Sequence, residues 1–173
     1  LAHFVHDNQI YGLTKGQASP TTGQGHVTPA QPGGSQNTPF NPLLIALAAG
    51  AGFVARGFTG EREQLVDLMK QAITYRGYAL LDIFQPCVSF NKVNTHQDYA
   101  RRTYRLDEHH DPTDRLAAMT KAMETGDHIP LGVLYKVESP TFHDRNPVLR
   151  EGGPLLDRPF DPALVAGFLR ELV

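Results

Sequence analysis

The sequence predicts an α/β domain in which a parallel β-sheet carries helices on both faces. Apolar strand candidates alternate with helix candidates along the chain, and parallel neighbours in a sheet need such crossover helices. The strand candidates also lack strict alternation of polar and apolar residues, which is typical of strands covered on both faces. They are Ala2–His6, Gly52–Arg56, Tyr78–Phe84 and Leu131–Tyr135.

Helices are predicted between and after these strands. Three Asx-Pro pairs each place a capping side chain before a first-turn proline. They are Asn41-Pro42 before the apolar run that begins at Leu43, Asp111-Pro112 before Thr113–Met123, and Asp161-Pro162 before Ala163–Leu172. Another helix is predicted after Thr59, where apolar residues recur at three- and four-residue spacing: Leu65, Leu68, Met69, Ala72 and Ile73.

Two long stretches depart from this alternation. Residues 17–39 are rich in Gly, Pro, Ser, Thr and Gln, and residues 86–111 are polar with one cysteine. Long loops in compact domains are usually functional or disordered. We therefore expect one domain over 1–173, with a ligand loop at 7–39, a cysteine-bearing loop at 85–111 and an extended arm from about residue 138.

Composition excludes several classes of protein. The 173 residues are 40% hydrophobic and carry a net charge of -2, so the chain can build a core but has no broad positive field for nucleic acid or anionic lipid. The longest apolar stretch, Leu43–Val54, is too short to cross a bilayer, so a cytoplasmic location and no membrane partner are expected. The opening apolar run has no initiator Met, and we expect the chain to be the later part of a longer subunit.

The loop after the first strand is the main candidate site, because ligands of open parallel sheets bind beyond the carboxyl ends of the strands. It consists of Asp7-Asn8-Gln9-Ile10-Tyr11-Gly12-Leu13-Thr14-Lys15-Gly16-Gln17, followed by Ala18-Ser19-Pro20-Thr21-Thr22. This string closely resembles the second half of the thiamine diphosphate motif of 2-oxoacid:ferredoxin oxidoreductases. The alternative is an ordinary polar turn with a solvated lysine.

The resemblance implies a role for each residue of this loop. The Asn8 side-chain oxygen and the Ile10 backbone carbonyl would bind Mg²⁺, which prefers oxygen ligands. Tyr11, Gly12 and Thr14 would contact the cofactor, with the Thr14 hydroxyl on a phosphate. Lys15 would meet the substrate carboxylate and Leu13 would line the substrate pocket.

One departure from the family pattern concerns the metal site. The family has an upstream Gly-Asp-Gly-Asp whose first carboxylate is a further metal ligand, and no such motif precedes Asp7. The Gly126-Asp127 pair lies far downstream and is interpreted as a turn. We therefore expect the chain alone to bind thiamine diphosphate weakly.

The single cysteine follows the third predicted strand in the string Gln85-Pro86-Cys87-Val88-Ser89-Phe90-Asn91. One cysteine excludes an internal disulfide and a complete Cys-ligated site within this chain. The string resembles the family segment in which Gln-Pro-Cys provides one thiolate of a [4Fe–4S] cluster, so Cys87 would share a cluster with cysteines outside this chain. A buried structural thiol is the alternative.

Other polar clusters are weaker candidates. His109-His110 followed by Asp111 could suggest a metal, but adjacent side chains diverge and Asp111 is assigned to a helix cap. His3 and His6 are expected in the core or an interface. The arginines are expected in surface ion pairs or in an interface with another subunit: Arg101, Arg102 and Arg105.

The resemblance implies an enzyme that oxidatively decarboxylates a 2-oxoacid to acyl-CoA and carbon dioxide, with ferredoxin as electron acceptor. Lys15 and Leu13 favour 2-oxoglutarate as the substrate. Activity would need the missing N-terminal part and an α (or α-γ) partner subunit that supplies an activating glutamate. The alternatives are a non-catalytic fragment or assembly module, and a non-redox thiamine-dependent decarboxylase, in which Gln-Pro-Cys would have no purpose.

Overall fold

The computed structural model describes residues 1–159 and 161–171, which belong to two compact units, Leu1–Ser139 and Pro140–Val173. The first unit contains the strands β1 (Ala2–Asp7), β2 (Phe53–Phe58), β3 (Ala79–Phe84), β4 (Thr103–Arg105) and β5 (Ile129–Lys136). Its helices are α1 (Pro42–Ala48), α2 (Arg62–Thr74), α3 (His96–Arg102) and α4 (Arg115–Met123). The second unit contains α5 (Phe142–Arg145), α6 (Pro147–Gly152), a 3₁₀ turn (Leu155–Asp157) and α7 (Pro162–Glu171).

The strands form one sheet in the order β1-β3-β2-β5-β4. The pairs β1–β3, β2–β3 and β4–β5 are parallel, whereas β2 and β5 are antiparallel. The predicted α/β class is therefore confirmed, with a sheet that is mostly rather than wholly parallel. The direction reverses because α3 passes directly into β4, so no crossover returns the chain to the opposite end of the sheet.

Helices cover both faces of the sheet, as predicted. On one face, α1 and α4 pack on a core that includes Leu47, Val54, Leu80 and Leu134. On the other face, α2 packs on a core that includes Phe53, Ala55, Leu68, Leu81 and Ile83. A third cluster lies at the carboxyl ends of β2 and β3, where the Phe84 and Tyr99 rings stack with centroids 4.5 Å apart.

Strand β1 departs from the prediction of burial on both faces. It lies at the edge of the sheet, and His3 and His6 are exposed. Their rings bond to Tyr78 and Gln85 respectively, so neither belongs to the core of this chain. A role for these histidines in an interface stays a prediction. Within 1–159 and 161–171, no helix is both long and apolar enough to cross a membrane.

The predicted cysteine-bearing loop at 85–111 contains two elements that the sequence analysis misses, α3 and β4. Helix α3 begins at a Thr95 cap, whose hydroxyl accepts a hydrogen bond from the Asp98 N–H. Because Tyr99 is its one buried residue, the helix shows no apolar stripe.

Helix α4 begins two residues later than predicted, because its cap is Asp114 and not Asp111. Asp114 accepts hydrogen bonds from the Leu116 and Ala117 N–H groups. Asp111 instead accepts from both the backbone N–H and the hydroxyl of Thr113, which forms a local turn before the helix.

The second unit corresponds to the predicted arm from about residue 138, but it is not extended throughout. Thr141 and Asp144 form a capping box at α5, and Asn146 caps α6. These caps supply the hydrogen bonds that helix starts need, and they explain the helical turns. The Asp161-Pro162 start of α7 is confirmed, whereas the predicted end at Leu172 lies outside the described residues.

Candidate functional site

The loop after β1 begins with a turn held by two side chains. The Asn8 Oδ1 accepts a hydrogen bond from the Ile10 N–H at 3.0 Å, and the Asp7 carboxylate accepts from the Gln9 N–H at 3.1 Å. Gln9 adopts a positive φ of 54°, a conformation that is unfavourable for a residue with a side chain. The buried Ile10 side chain anchors the end of this turn.

The next residues form a tight reversal closed by backbone hydrogen bonds. The Tyr11 N–H donates to the Gln17 carbonyl at 2.8 Å, and the Gly16 N–H donates to the Tyr11 carbonyl at 2.9 Å. Lys15 and Gly16 have φ values of 72° and 104°. At Gly16 a side chain would be strained by this φ, and its first atom would lie 3.4 Å from Phe90.

The Ser-Pro-Thr-Thr segment folds back against the turn. The Thr21 hydroxyl donates to the Asp7 carboxylate at 2.6 Å, and the Thr22 hydroxyl donates to the Gln9 carbonyl at 2.6 Å. Thr22 is buried, so the bond to Gln9 is shielded from competing water. These bonds fix the Gln9 peptide, whose conformation the chain would not otherwise favour.

A cavity of about 890 Å³ runs along β1 and α1, from His3 and Tyr78 to the loop after β1, where the sequence predicts the site. The predicted site residues that line it are Asn8, Ile10, Tyr11, Gly12, Leu13 and Thr14. Its opposite wall is apolar and includes Ile45 and Ala46 of α1 and Leu80 of β3. Lys15 is not part of this lining and is exposed, and Leu13 is 99% exposed at the rim.

The structure brings the cysteine-bearing loop against this turn. The Gln85 N–H donates to the Asp7 carbonyl at 3.0 Å, and the Asn91 side-chain amide donates to the Asn8 carbonyl at 3.1 Å. A methyl group added at Gly12 would lie 3.3 Å from the Cys87 Sγ. The two segments that the sequence analysis singles out independently are therefore in contact.

The oxygen donors of the turn after β1 fit a metal ion that takes most of its ligands from outside this chain. Among the described residues, no group of three His, Cys, Asp or Glu side chains could hold a metal ion. Mg²⁺ bound to a diphosphate retains phosphate and water oxygens, so an amide oxygen and a carbonyl from this chain can form part of its coordination shell. Asn8 lines the cavity. Its side-chain Oδ1 accepts one hydrogen bond from the Ile10 N–H and has a second lone pair that a metal ion can use. A cluster at Cys87 would need thiolates from other chain segments.

The other polar clusters of the sequence analysis have structural roles. The His110 Nε2 bonds to the Leu134 carbonyl at 2.8 Å and His109 is exposed, so the structure does not support a metal at this pair. Arg101 and Arg102 both pair with Asp98, at 3.1 and 2.7 Å. Arg105 pairs with Glu61. The exposed pairs of Arg101 and Arg105 agree with the predicted surface ion pairs, whereas the Arg102 side chain is only 15% exposed. An interface with another subunit stays a prediction.

A buried charge cluster beside the loop was not found by sequence reasoning. The Arg56 Nε lies 3.1 Å from the Asp82 Oδ2, and the two side chains are 6% and 1% exposed. Burial raises the pKa of Asp82 to about 6; the attraction of Arg56 opposes the rise, and repulsion from Asp7 adds to it. Burial also raises the pKa of Asp7. The two apolar strand runs that hold Arg56 and Asp82 each contain one charged residue, and that pattern could have indicated the buried ion pair.

Comparisons with known proteins identify the family of this chain. Residues 1–83 match the family described as "Thiamine pyrophosphate enzyme, C-terminal TPP binding domain", and residues 87–151 match the C-terminal family of the "Pyruvate ferredoxin oxidoreductase beta subunit". A 2-oxoacid:ferredoxin oxidoreductase subunit beta from Saccharolobus solfataricus is 36% identical over 172 residues, which cover 92% of this chain and 55% of the relative. The chain belongs to the β-subunit family of 2-oxoacid:ferredoxin oxidoreductases.

Two further members of this oxidoreductase family are informative. The 2-oxoglutarate oxidoreductase subunit KorB of Mycobacterium tuberculosis is 48% identical over 85 residues, which cover 49% of this chain and 23% of that protein. The solved structure of 2-oxoglutarate:ferredoxin oxidoreductase from Magnetococcus marinus has 2-oxoglutarate, coenzyme A and succinyl-CoA bound. It matches with a TM-score of 0.85 and 37% identity, over 95% of this chain and 56% of the solved chain. The chain thus spans about half the length of the β subunits that it matches.

Proposed function

We propose that this chain forms one side of the thiamine diphosphate site of an enzyme that oxidatively decarboxylates 2-oxoglutarate to an acyl-CoA and carbon dioxide. The observation that carries the proposal is the contact between the turn after β1 and the Cys87 loop. This contact brings a cofactor-type turn and the thiolate proposed as a cluster ligand to the same end of the sheet. The names of the similar proteins support the substrate and the ferredoxin acceptor.

The metal and the diphosphate would be held by the turn itself. The Asn8 side-chain oxygen and the Ile10 carbonyl bind Mg²⁺ in this proposal, and the Thr14 hydroxyl donates to a phosphate. Thr14 is exposed at the cavity wall, where its hydroxyl can turn towards a ligand. Tyr11 contacts the cofactor in this proposal, and Gly12 allows the backbone to approach it closely, because a glycine leaves no side chain in the way.

The substrate would meet the rim of the cavity. Lys15 provides a compact positive charge for the carboxylate of the 2-oxoacid, and Leu13 provides an apolar wall. Both side chains are exposed in this chain, which is consistent with a pocket completed by another polypeptide. We propose that the α (or α-γ) subunit packs over this rim and supplies the activating glutamate.

The chemistry of bond cleavage would come from the cofactor, which supplies an electron sink when it is bound. This chain holds and orients it and excludes water along the apolar wall formed by Ile45, Ala46 and Leu80. Cys87 would ligate a [4Fe–4S] cluster whose other thiolates lie outside this chain. That cluster would supply the acceptor through which electrons reach ferredoxin.

The proposal is tested in the assembled complex with two single substitutions. Asn8→Ala should weaken the binding of Mg²⁺ and thiamine diphosphate, measured by fluorescence titration, while the exposed Asn37→Ala should not. Cys87→Ser should lower the iron content and remove the cluster signal from electron paramagnetic resonance spectra. Unchanged cofactor affinity in the first variant would overturn the metal assignment, and unchanged iron in the second would overturn the cluster assignment.

The same experiment separates the alternative functions. If neither substitution has an effect, a non-catalytic assembly role is favoured. A non-redox thiamine-dependent decarboxylase would lose cofactor affinity in Asn8→Ala but contain no iron at Cys87. The contact between Cys87 and the turn favours the redox enzyme over both.

A further inference from the structure

Asn91 forms hydrogen bonds with both loops of the candidate site. It is 2% exposed. Its Nδ2 donates to the Asn8 carbonyl at 3.1 Å, and its Oδ1 accepts from the Val93 and Asn94 N–H groups at 3.1 and 2.9 Å. Its own N–H donates to the Cys87 carbonyl at 3.1 Å. One residue thus bonds to the backbone of both loops.

The chemistry of this position requires an amide. The partner of Nδ2 is a carbonyl and the partners of Oδ1 are both N–H groups, so one orientation of the amide satisfies every bond. A carboxylate would lose the donor, and an aliphatic side chain would lose all three side-chain bonds. Because Asn91 is buried, water cannot replace a bond that is lost.

The bond to Asn8 acts at a sensitive point of the turn. The Asn8 carbonyl belongs to the peptide that leads into Gln9, whose φ of 54° the chain does not favour by itself. This peptide lies between the Asn8 side chain and the Ile10 carbonyl, the two proposed metal ligands. Its orientation therefore sets the angle between them. Gly12 lies close to Cys87, since a methyl group added at Gly12 would be 3.3 Å from the Cys87 Sγ.

We infer that Asn91 is a positioning residue: its side chain holds the Mg²⁺-binding turn against the loop that carries Cys87, while its main-chain N–H anchors the Cys87 carbonyl. The inference rests on the proposed function. It adds a residue that touches neither cofactor but acts through the backbones of Asn8 and Cys87. Loss of all its side-chain bonds should therefore weaken metal binding through Asn8, and should alter the cluster because the Val93 and Asn94 N–H groups of the Cys87 loop lose their acceptor.

The test uses the assembled complex and compares Asn91→Leu with Asn94→Leu. Asn94 is a matched control because it is also buried in the same loop, but its side chain bonds to Arg102 and to neither Asn8 nor Cys87. The measurements are the dissociation constant of Mg²⁺ at fixed thiamine diphosphate and the midpoint potential of the cluster. Asn91→Leu should raise the dissociation constant by about tenfold, as expected for a lost buried hydrogen bond, and should shift the potential. Asn94→Leu should change neither.

A second variant keeps the test decisive if Asn91→Leu does not assemble. Asn91→Asp retains acceptors for the Val93 and Asn94 N–H groups and loses only the donor to Asn8. It should weaken Mg²⁺ binding, with repulsion between the carboxylate and the Asn8 carbonyl adding to the loss. An assembled Asn91 variant with the parent's Mg²⁺ affinity would overturn the inference.

The failure of this inference can be distinguished from failure of the proposed function. If Asn8→Ala weakens Mg²⁺ binding and Cys87→Ser removes iron while Asn91 variants behave as the parent, the inference alone is wrong. If Asn8→Ala and Cys87→Ser are also without effect, the proposed function is wrong, and the inference with it.

Discussion

Replacing Arg56 by methionine should strongly destabilise the protein, and by more at high pH than at low pH. The substitution keeps much of the apolar volume but removes the counter-charge from Asp82, which is 1% exposed, and from the nearby buried Asp7. Removing one partner of a buried ion pair costs about 3–5 kcal/mol, because a charge is left uncompensated. The upper part of this range is expected, since the Asp82 Oδ1 already has no hydrogen-bond partner among residues 1–159 and 161–171.

The pH dependence follows from the direction of the pKa shift. Burial raises the pKa of Asp82 from an ordinary value of 3.8 to about 6. A carboxyl group with a raised pKa favours the folded state below its unfolded value and loses that contribution as the pH rises through its folded value. Arg56 lowers the pKa of Asp82, so its removal raises this pKa further. The stability lost in Arg56→Met should therefore be small near pH 4 and largest near pH 8.

The assay is urea unfolding followed by circular dichroism between pH 4 and 8, because urea does not screen charges. Arg101→Met is the matched control, since Arg101 is also ion-paired, with Asp98 and Asp127, but its side chain is 63% exposed. It should show little loss of stability at any pH. Equal effects of the two substitutions, or an Arg56→Met penalty that does not grow with pH, would refute the reasoning.

Three further predictions concern the site. Lys15→Met should raise the KM for 2-oxoglutarate by about tenfold or more, because it removes a charge-assisted hydrogen bond to the substrate carboxylate. The KM for coenzyme A should not change. In the same steady-state kinetics, substitution of the exposed Lys70 by Met should change neither KM. Gly12→Ala should lower the iron content, because its methyl would lie 3.3 Å from the Cys87 Sγ, whereas Gly23→Ala meets no atom within 4 Å and should retain iron. The isolated chain should bind Mg²⁺ and thiamine diphosphate weakly, and micromolar binding in calorimetry would contradict this.

Much of the fold could be predicted from local patterns, but the direction of one strand pair could not. Long apolar runs identify β2, β3 and β5 because these strands are buried, and a similar run identifies the edge strand β1. Helix α3 and strand β4 are short and polar, and they depend on packing around Tyr99 that no local pattern shows. The antiparallel pairing of β2 with β5 depends on contacts between segments far apart in the chain.

The candidate site could also be predicted only in part. A continuous string of residues made the turn after β1 recognisable, and Gln-Pro-Cys did the same for the Cys87 loop. Their contact was not predictable, because Asn8 and Asn91 are 83 positions apart and neither carries a signal of the other. Arg56 and Asp82 could have been noticed, since a charge inside an apolar strand usually needs a buried partner.

The most direct test of the account is an experimental structure of the assembled complex with Mg²⁺ and thiamine diphosphate. We expect the Asn8 side-chain oxygen and the Ile10 carbonyl oxygen at about 2.0–2.1 Å from the metal ion, with the Cys87 sulfur bonded to iron. A metal ion coordinated elsewhere, with Asn8 and Ile10 turned away from the diphosphate, would contradict it.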